Sequence, residues 1–132
     1  MATSNRRRVS AAVAWLSAGI AYLILEAVAA AAFRPHYSYA RNLISDLGIP
    51  SDNSPLAWLM NTAFCVQGTL FLVGAVLAAP RRLFLALAAT NAVGNVLIAV
   101  FHSGTATHAL GATLAIVGGN AAILAGSRIA GG

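Results

Sequence analysis

The chain has 132 residues, 59% of them hydrophobic and only 8% charged, and its mean hydropathy is +0.79. A soluble domain carries about 25% charged residues, so these few charges cannot cover a water-facing surface, and lipid is the solvent for most of the chain. The net charge of +5 comes from arginine alone, without one lysine, and no basic run is interleaved with aromatics. That pattern excludes nucleic acid as a partner, and the lone Cys65 excludes an intrachain disulfide.

In chain order, residues 1–8 carry Arg6, Arg7 and Arg8 and read as a basic cytoplasmic N-terminus. The apolar run Val9–Phe33 follows. It is longer than the roughly 7–15 residues of a signal-peptide core and contains Glu26, so it reads as a retained span rather than a cleaved signal. The polar segment Arg34–Pro55 comes next. Within it Tyr37–Gly48 is predicted to form a short interfacial helix, with Leu43, Ile44 and Leu47 on one side, Asn42 and Asp46 on the other, and Gly48 ending it. A second span, Leu56–Ala79, is expected to start from Ser54 as N-cap with Pro55 at the first helical position, and to end at Pro80. The turn Pro80-Arg81-Arg82 leads to a third span, Leu83–Phe101, and the turn around His102–Ala106 leads to a fourth, Thr107–Gly126, with residues 127–132 as a cytoplasmic tail. The fold class is therefore all-α, a polytopic membrane four-helix bundle forming one domain over residues 9–126. Arg6, Arg7, Arg8, Arg81, Arg82 and Arg128 fall on one side and only Arg34 and Arg41 on the other. Arginine excess marks the cytoplasmic side, so both termini are placed in the cytoplasm and the protein in a prokaryotic plasma (inner) membrane.

At 100° per residue the polar and small positions of each span align. The stripes are Ala12, Trp15, Gly19, Tyr22, Glu26, Ala30 and Phe33; Asn61, Cys65, Gly68, Leu72, Ala75 and Ala79; Asn91, Asn95, Ile98 and His102; and His108, Ala112, Ala115, Gly119, Ala122 and Gly126. Small residues let membrane helices approach and polar ones avoid lipid, so these stripes are expected to face one bundle interior. Counted at 1.5 Å per residue, Glu26, Asn61 and Asn95 lie roughly 10 Å below the outer surface. His102 and His108 cap that space, with His36, Arg41 and Asp46 nearby on the loop. The expected object is an outward-opening polar pocket of Glu26, Arg41, Asp46, Asn61, Asn95, His102 and His108. A mid-membrane carboxyl costs on the order of 2.5–3.5 kcal/mol, so Glu26 is the first candidate for a functional group; otherwise it pins helix packing through Asn61 or Asn95. The asparagines are expected chiefly as interhelical hydrogen-bonding groups, Trp15, Trp58 and the outer tyrosines as packing or belt residues, and Cys65 as an inert small hydrophobe.

The stretch Tyr37-Ser38-Tyr39-Ala40-Arg41-Asn42-Leu43-Ile44-Ser45-Asp46-Leu47-Gly48, with the later His108-Ala109-Leu110-Gly111-Ala112 and Gly118-Gly119-Asn120, resembles a group of prokaryotic membrane proteins known as domain-of-unknown-function family 998. The resemblance covers about Glu26 to Asn120. It implies a multi-pass protein and marks Ser45, Asp46, Gly48, His108, Gly111 and Asn120, but brings no activity with it. Members are usually longer, with further helices, which implies a bundle completed by another part of the chain or by a partner copy.

Three functions compete. The favoured one is binding of a lipid headgroup or small polar solute in the outer pocket, with the bilayer and a possible homo-oligomer as partners. The second is a metal-assisted lipid hydrolase in which Glu26, His102 and His108 hold Zn²⁺ and the metal activates a water. The residue types are similar to those of alkaline ceramidase-like intramembrane hydrolases, but the His-x-x-x-His element of those enzymes is absent, so catalysis ranks below binding. The third is a structural membrane partner protein whose polar groups only fix its packing.

Overall fold

The computed structural model describes residues 2–78 and 81–130. Its elements are α1 (Ala2–Ala32), a 3₁₀ turn (Ile44–Gly48), α2 (Ala57–Ala78), α3 (Arg82–Val100) and α4 (Ala106–Ala130). Four segments of these helices are long and apolar enough to span a bilayer: Ser4–Ala32, Ala57–Ala78, Arg82–Val100 and Ala106–Ser127, with mean hydropathies between 1.6 and 2.0. Helices satisfy every interior backbone group within the segment, which is what lipid demands. The helical segments agree with the four expected spans. α1 begins earlier, running through Arg6–Arg8, and the stop at Ala79 and Pro80 lies outside the described residues.

The helices pack in series, α1 on α2, α2 on α3 and α3 on α4, and α1 and α4 share no packed interface. The α3–α4 seam is the closest. A Cβ at Gly94 would fall on the backbone of Gly111 and Ala115, so only glycine permits the crossing. Asn91 Nδ2 donates to Ala115 O across the same seam at 2.7 Å, as expected of interhelical asparagine. The core divides in two. Ala29, Leu47, Met60, Ala63 and Phe64 fill the loop end, and Ala75, Phe84, Ala88 and Ala122 the opposite end.

The expected stripes largely match the buried faces, with exceptions. Ala12 is exposed and Ala11, Ala14 and Ala18 are buried in its place, a rotation of α1 by about one residue. His102, at the end of the third stripe, is exposed. Asn120, off the stripes but expected as an interhelical hydrogen-bonding group, is exposed too, and its amide donates back to Ile116 O of its own helix.

Two local expectations are corrected. No helix spans Tyr37–Gly48; the segment is an irregular strap ending in the five-residue 3₁₀ turn, with Leu43 and Ile44 exposed and only Leu47 and Gly48 buried. The side chains placed on its polar face capture backbone donors instead. Asn42 Oδ1 accepts from Ser38 N at 3.0 Å and Asp46 Oδ2 from Leu43 N at 2.8 Å, the local bonding by which Asn and Asp compete with helix. Ser54 likewise does not cap α2 with its side chain. Its hydroxyl donates to Leu47 O at 2.6 Å, tying the strap down, and the first turn of α2 closes through Ala57 N to Ser54 O.

Candidate functional site

The strap from Arg34 to Leu56 is closed at its base by Arg34 N donating to Asn53 O at 2.8 Å. Its anchor is the Ile44-Ser45-Asp46-Leu47-Gly48 element. Asp46 caps the turn, and fully buried Leu47 plugs the core between α1 and α2. Gly48 lies so close to α2 that a Cβ there would meet Asn61 Oδ1. Asn61 Nδ2 donates to Gly48 O at 3.0 Å, and Ser45 Oγ bonds Ser103 Oγ of the α3–α4 turn at 3.3 Å. Ser45, Asp46, Leu47 and Gly48 therefore each have a physical task in holding the strap over the ends of the helices, while Ile44 is exposed.

Beneath the strap, Glu26 is 7% exposed. One turn earlier on the same face stands Tyr22, whose ring packs on Phe64 with centroids 5.9 Å apart. The strap supplies Tyr37 and Tyr39, their rings edge to face at 4.8 Å, and Tyr37 meets Phe33 at 5.6 Å. Burial, and then the neighbouring Glu26 carboxylate, push the Tyr37 phenol above the ordinary tyrosine range; Tyr39 is raised in the same way. Phenolic hydroxyls close to a carboxylate favour their neutral, donating form. The Tyr37 hydroxyl donates to Asn42 O at 3.4 Å within the strap, and Tyr39 is largely exposed. The result is a buried carboxyl sharing the loop end of the bundle with three phenols, near enough for its charge to raise Tyr37 and Tyr39.

The other expected site residues are distributed around this centre rather than gathered into it. Asp46 and Asn61 are engaged in the strap, as described. Asn95 is buried, and its amide donates to Asn91 O at 3.0 Å within α3. His108 is buried at the start of α4, where Nδ1 bonds Phe101 O at 2.8 Å; that carbonyl can only accept, so Nδ1 carries the proton. His36, Arg41 and His102 are exposed. Among the described residues no three His, Cys, Asp or Glu side chains come together as metal ligands.

Comparison with known proteins adds a family. The family described as a protein of unknown function, DUF998, matches residues 8–132. The chain is a member of the DUF998 family. No curated protein and no solved structure matches it. For this DUF998 protein the membrane architecture rests on its four apolar helices, and the family leaves the activity to be read from the site.

Two features escaped sequence reasoning. Tyr37 and Tyr39 were assigned to packing or an interfacial belt, whereas Tyr22 was already placed with Glu26 on one stripe of the first span; nothing in the spacing of the strap marks its two tyrosines as neighbours of that stripe. The second is a cavity of about 920 Å³ left where α1 and α4 do not meet. Four well-formed stripes imply a closed bundle, and nothing in them marks which pair of helices stays apart.

Proposed function

We propose that this DUF998 protein binds a cationic headgroup or small cationic solute, an ammonium above all, at an outward-facing site centred on Glu26 and flanked by Tyr22, Tyr37 and Tyr39. The observation that carries the reading is a buried carboxyl inside a membrane span, one helical turn from Tyr22 and at the end of the bundle where the strap carries Tyr37 and Tyr39. A carboxylate neutralises an ammonium, and aromatic faces attract it by their quadrupoles, the more so when it is desolvated. Arg41 and His102 are exposed at the end of the bundle where the entrance is proposed, and Asp46, Asn61, Asn95 and His108 act by holding the strap and helices in place. The arginine asymmetry supports cytoplasmic termini and a plasma-membrane location, which puts the strap outside. No observation favours the zinc hydrolase over this binding role.

The test is calorimetric titration of the purified protein with choline and ethanolamine, beside uncharged glycerol, for wild type and Glu26→Gln. Saturable binding of the amines that is lost in Glu26→Gln, in a variant with unchanged helical content, supports the site. Equal responses to amines and glycerol, or amine binding that survives Glu26→Gln, would refute it.

A further inference from the structure

The cavity between α1 and α4 is separate from the Glu26 site and lies at the opposite end of the bundle. Its mouth is marked by Arg8, its floor by the aromatic side chains of Trp15, Phe71 and Phe84, and its inner end by Gly19 and Gln67. The lining is overwhelmingly apolar. Trp15 contributes no free polar edge, because its indole N–H donates to Phe71 O at 3.1 Å. From Arg8 to Gly19 the groove follows α1 for eleven residues, about 16 Å at 1.5 Å per residue. One leaflet of a hydrocarbon core of roughly 30 Å is about 15 Å deep. The groove therefore has the length of a single acyl chain, and it runs where α1 and α4 fail to pack.

Charge selects the headgroup. Arg6, Arg7, Arg8, Arg81 and Arg82 lie at the mouth end, and all three acidic residues of the chain, Glu26, Asp46 and Asp52, lie toward the other. Arg7 is committed to Val76 O at 3.3 Å, which leaves Arg8 as the cation that lines the groove. We infer that the α1–α4 groove is a binding site for one anionic phospholipid of the leaflet at the Arg8 end, one of its two acyl chains on Trp15, Phe71 and Phe84, the other in the surrounding lipid, and its phosphate on Arg8. With the orientation proposed above this is the cytoplasmic leaflet. The chain ends near the bilayer midplane at Gln67, whose buried Oε1 has no hydrogen-bond partner; no polar group of the lipid reaches that depth.

Native mass spectrometry of the full chain in mild detergent, titrated with phosphatidylglycerol and with phosphatidylcholine, tests the inference. Wild type is expected to retain one phosphatidylglycerol per chain in preference to phosphatidylcholine. Arg8→Gln should weaken phosphatidylglycerol retention about fivefold, the worth of one arginine at an anionic surface, and leave phosphatidylcholine unaffected. A Cβ at Gly19 meets nothing within 4 Å, so Gly19→Leu should fold, occupy the groove and abolish retention of both lipids. Gln67→Leu should retain phosphatidylglycerol at least as well as wild type. Equal retention of the two lipids, or retention undiminished in folded Gly19→Leu, would overturn the assignment. Loss of retention in Gln67→Leu would give the groove to a ligand with a polar group at the midplane, and a dimer dissociated by Gly19→Leu would give it to a second copy.

Discussion

The contact between Gly48 and Asn61 allows a sharp test of how the strap is held. In Gly48→Ala the added methyl would land on Asn61 Oδ1, and the nearest atoms are all of the Asn61 side chain. That side chain can rotate away, but only by giving up its 3.0 Å bond to Gly48 O. Gly48 is buried, so its carbonyl is left without a donor, which costs about 2 kcal/mol, within the 1–3 kcal/mol of an unsatisfied buried group. Asn61→Ala removes the same donor and should cost about the same, ~2 kcal/mol. The double variant should also cost about 2 kcal/mol rather than about 4, because the methyl then meets no obstacle and the bond is already gone. The assay is unfolding in mixed detergent micelles of rising sodium dodecyl sulfate content, followed by fluorescence of Trp15 and Trp58. Additive losses would refute the reasoning, since they would mean that Gly48→Ala strains something other than the Asn61 contact.

Two further outcomes are expected. His108→Ala should cost about 1–3 kcal/mol by leaving Phe101 O without its partner, whereas exposed His102→Ala should change stability by less than about 0.5 kcal/mol; equal losses in the same unfolding assay would remove His108 from its packing role. In ultraviolet titration Tyr37 should ionise above the ordinary value near 10, and Glu26→Gln should lower its titration midpoint. The stability linked to this phenol is whole below about pH 10 and is lost as pH climbs through the raised folded value. An unchanged Tyr37 titration in Glu26→Gln would separate the phenol from the carboxyl.

Composition and periodicity were sufficient for the membrane class, the four spans and most of the buried face of each. Lipid leaves a chain little choice: an apolar run of about 20 residues must be helical, and polar or small residues must turn toward a neighbour. Asn91 and Ala115 could therefore be placed at an interface from spacing alone, whereas Gly94, on which the α3–α4 crossing depends, lay off the expected stripe. The strap was not legible in this way. Tyr37–Gly48 has helical spacing, yet Asn42 and Asp46 take the backbone donors that a helix would use, and Leu47 finds its burial only because Ala29 and Met60 with Phe64 come together from the two flanking helices. Both candidate sites have the same origin. Strap and span must meet before Tyr37 and Tyr39 can come near the charge of Glu26, and the α1–α4 groove exists only because helices far apart in sequence do not pack. A residue's local pattern determines whether it must be buried; only the tertiary arrangement decides what buries it and where space is left over.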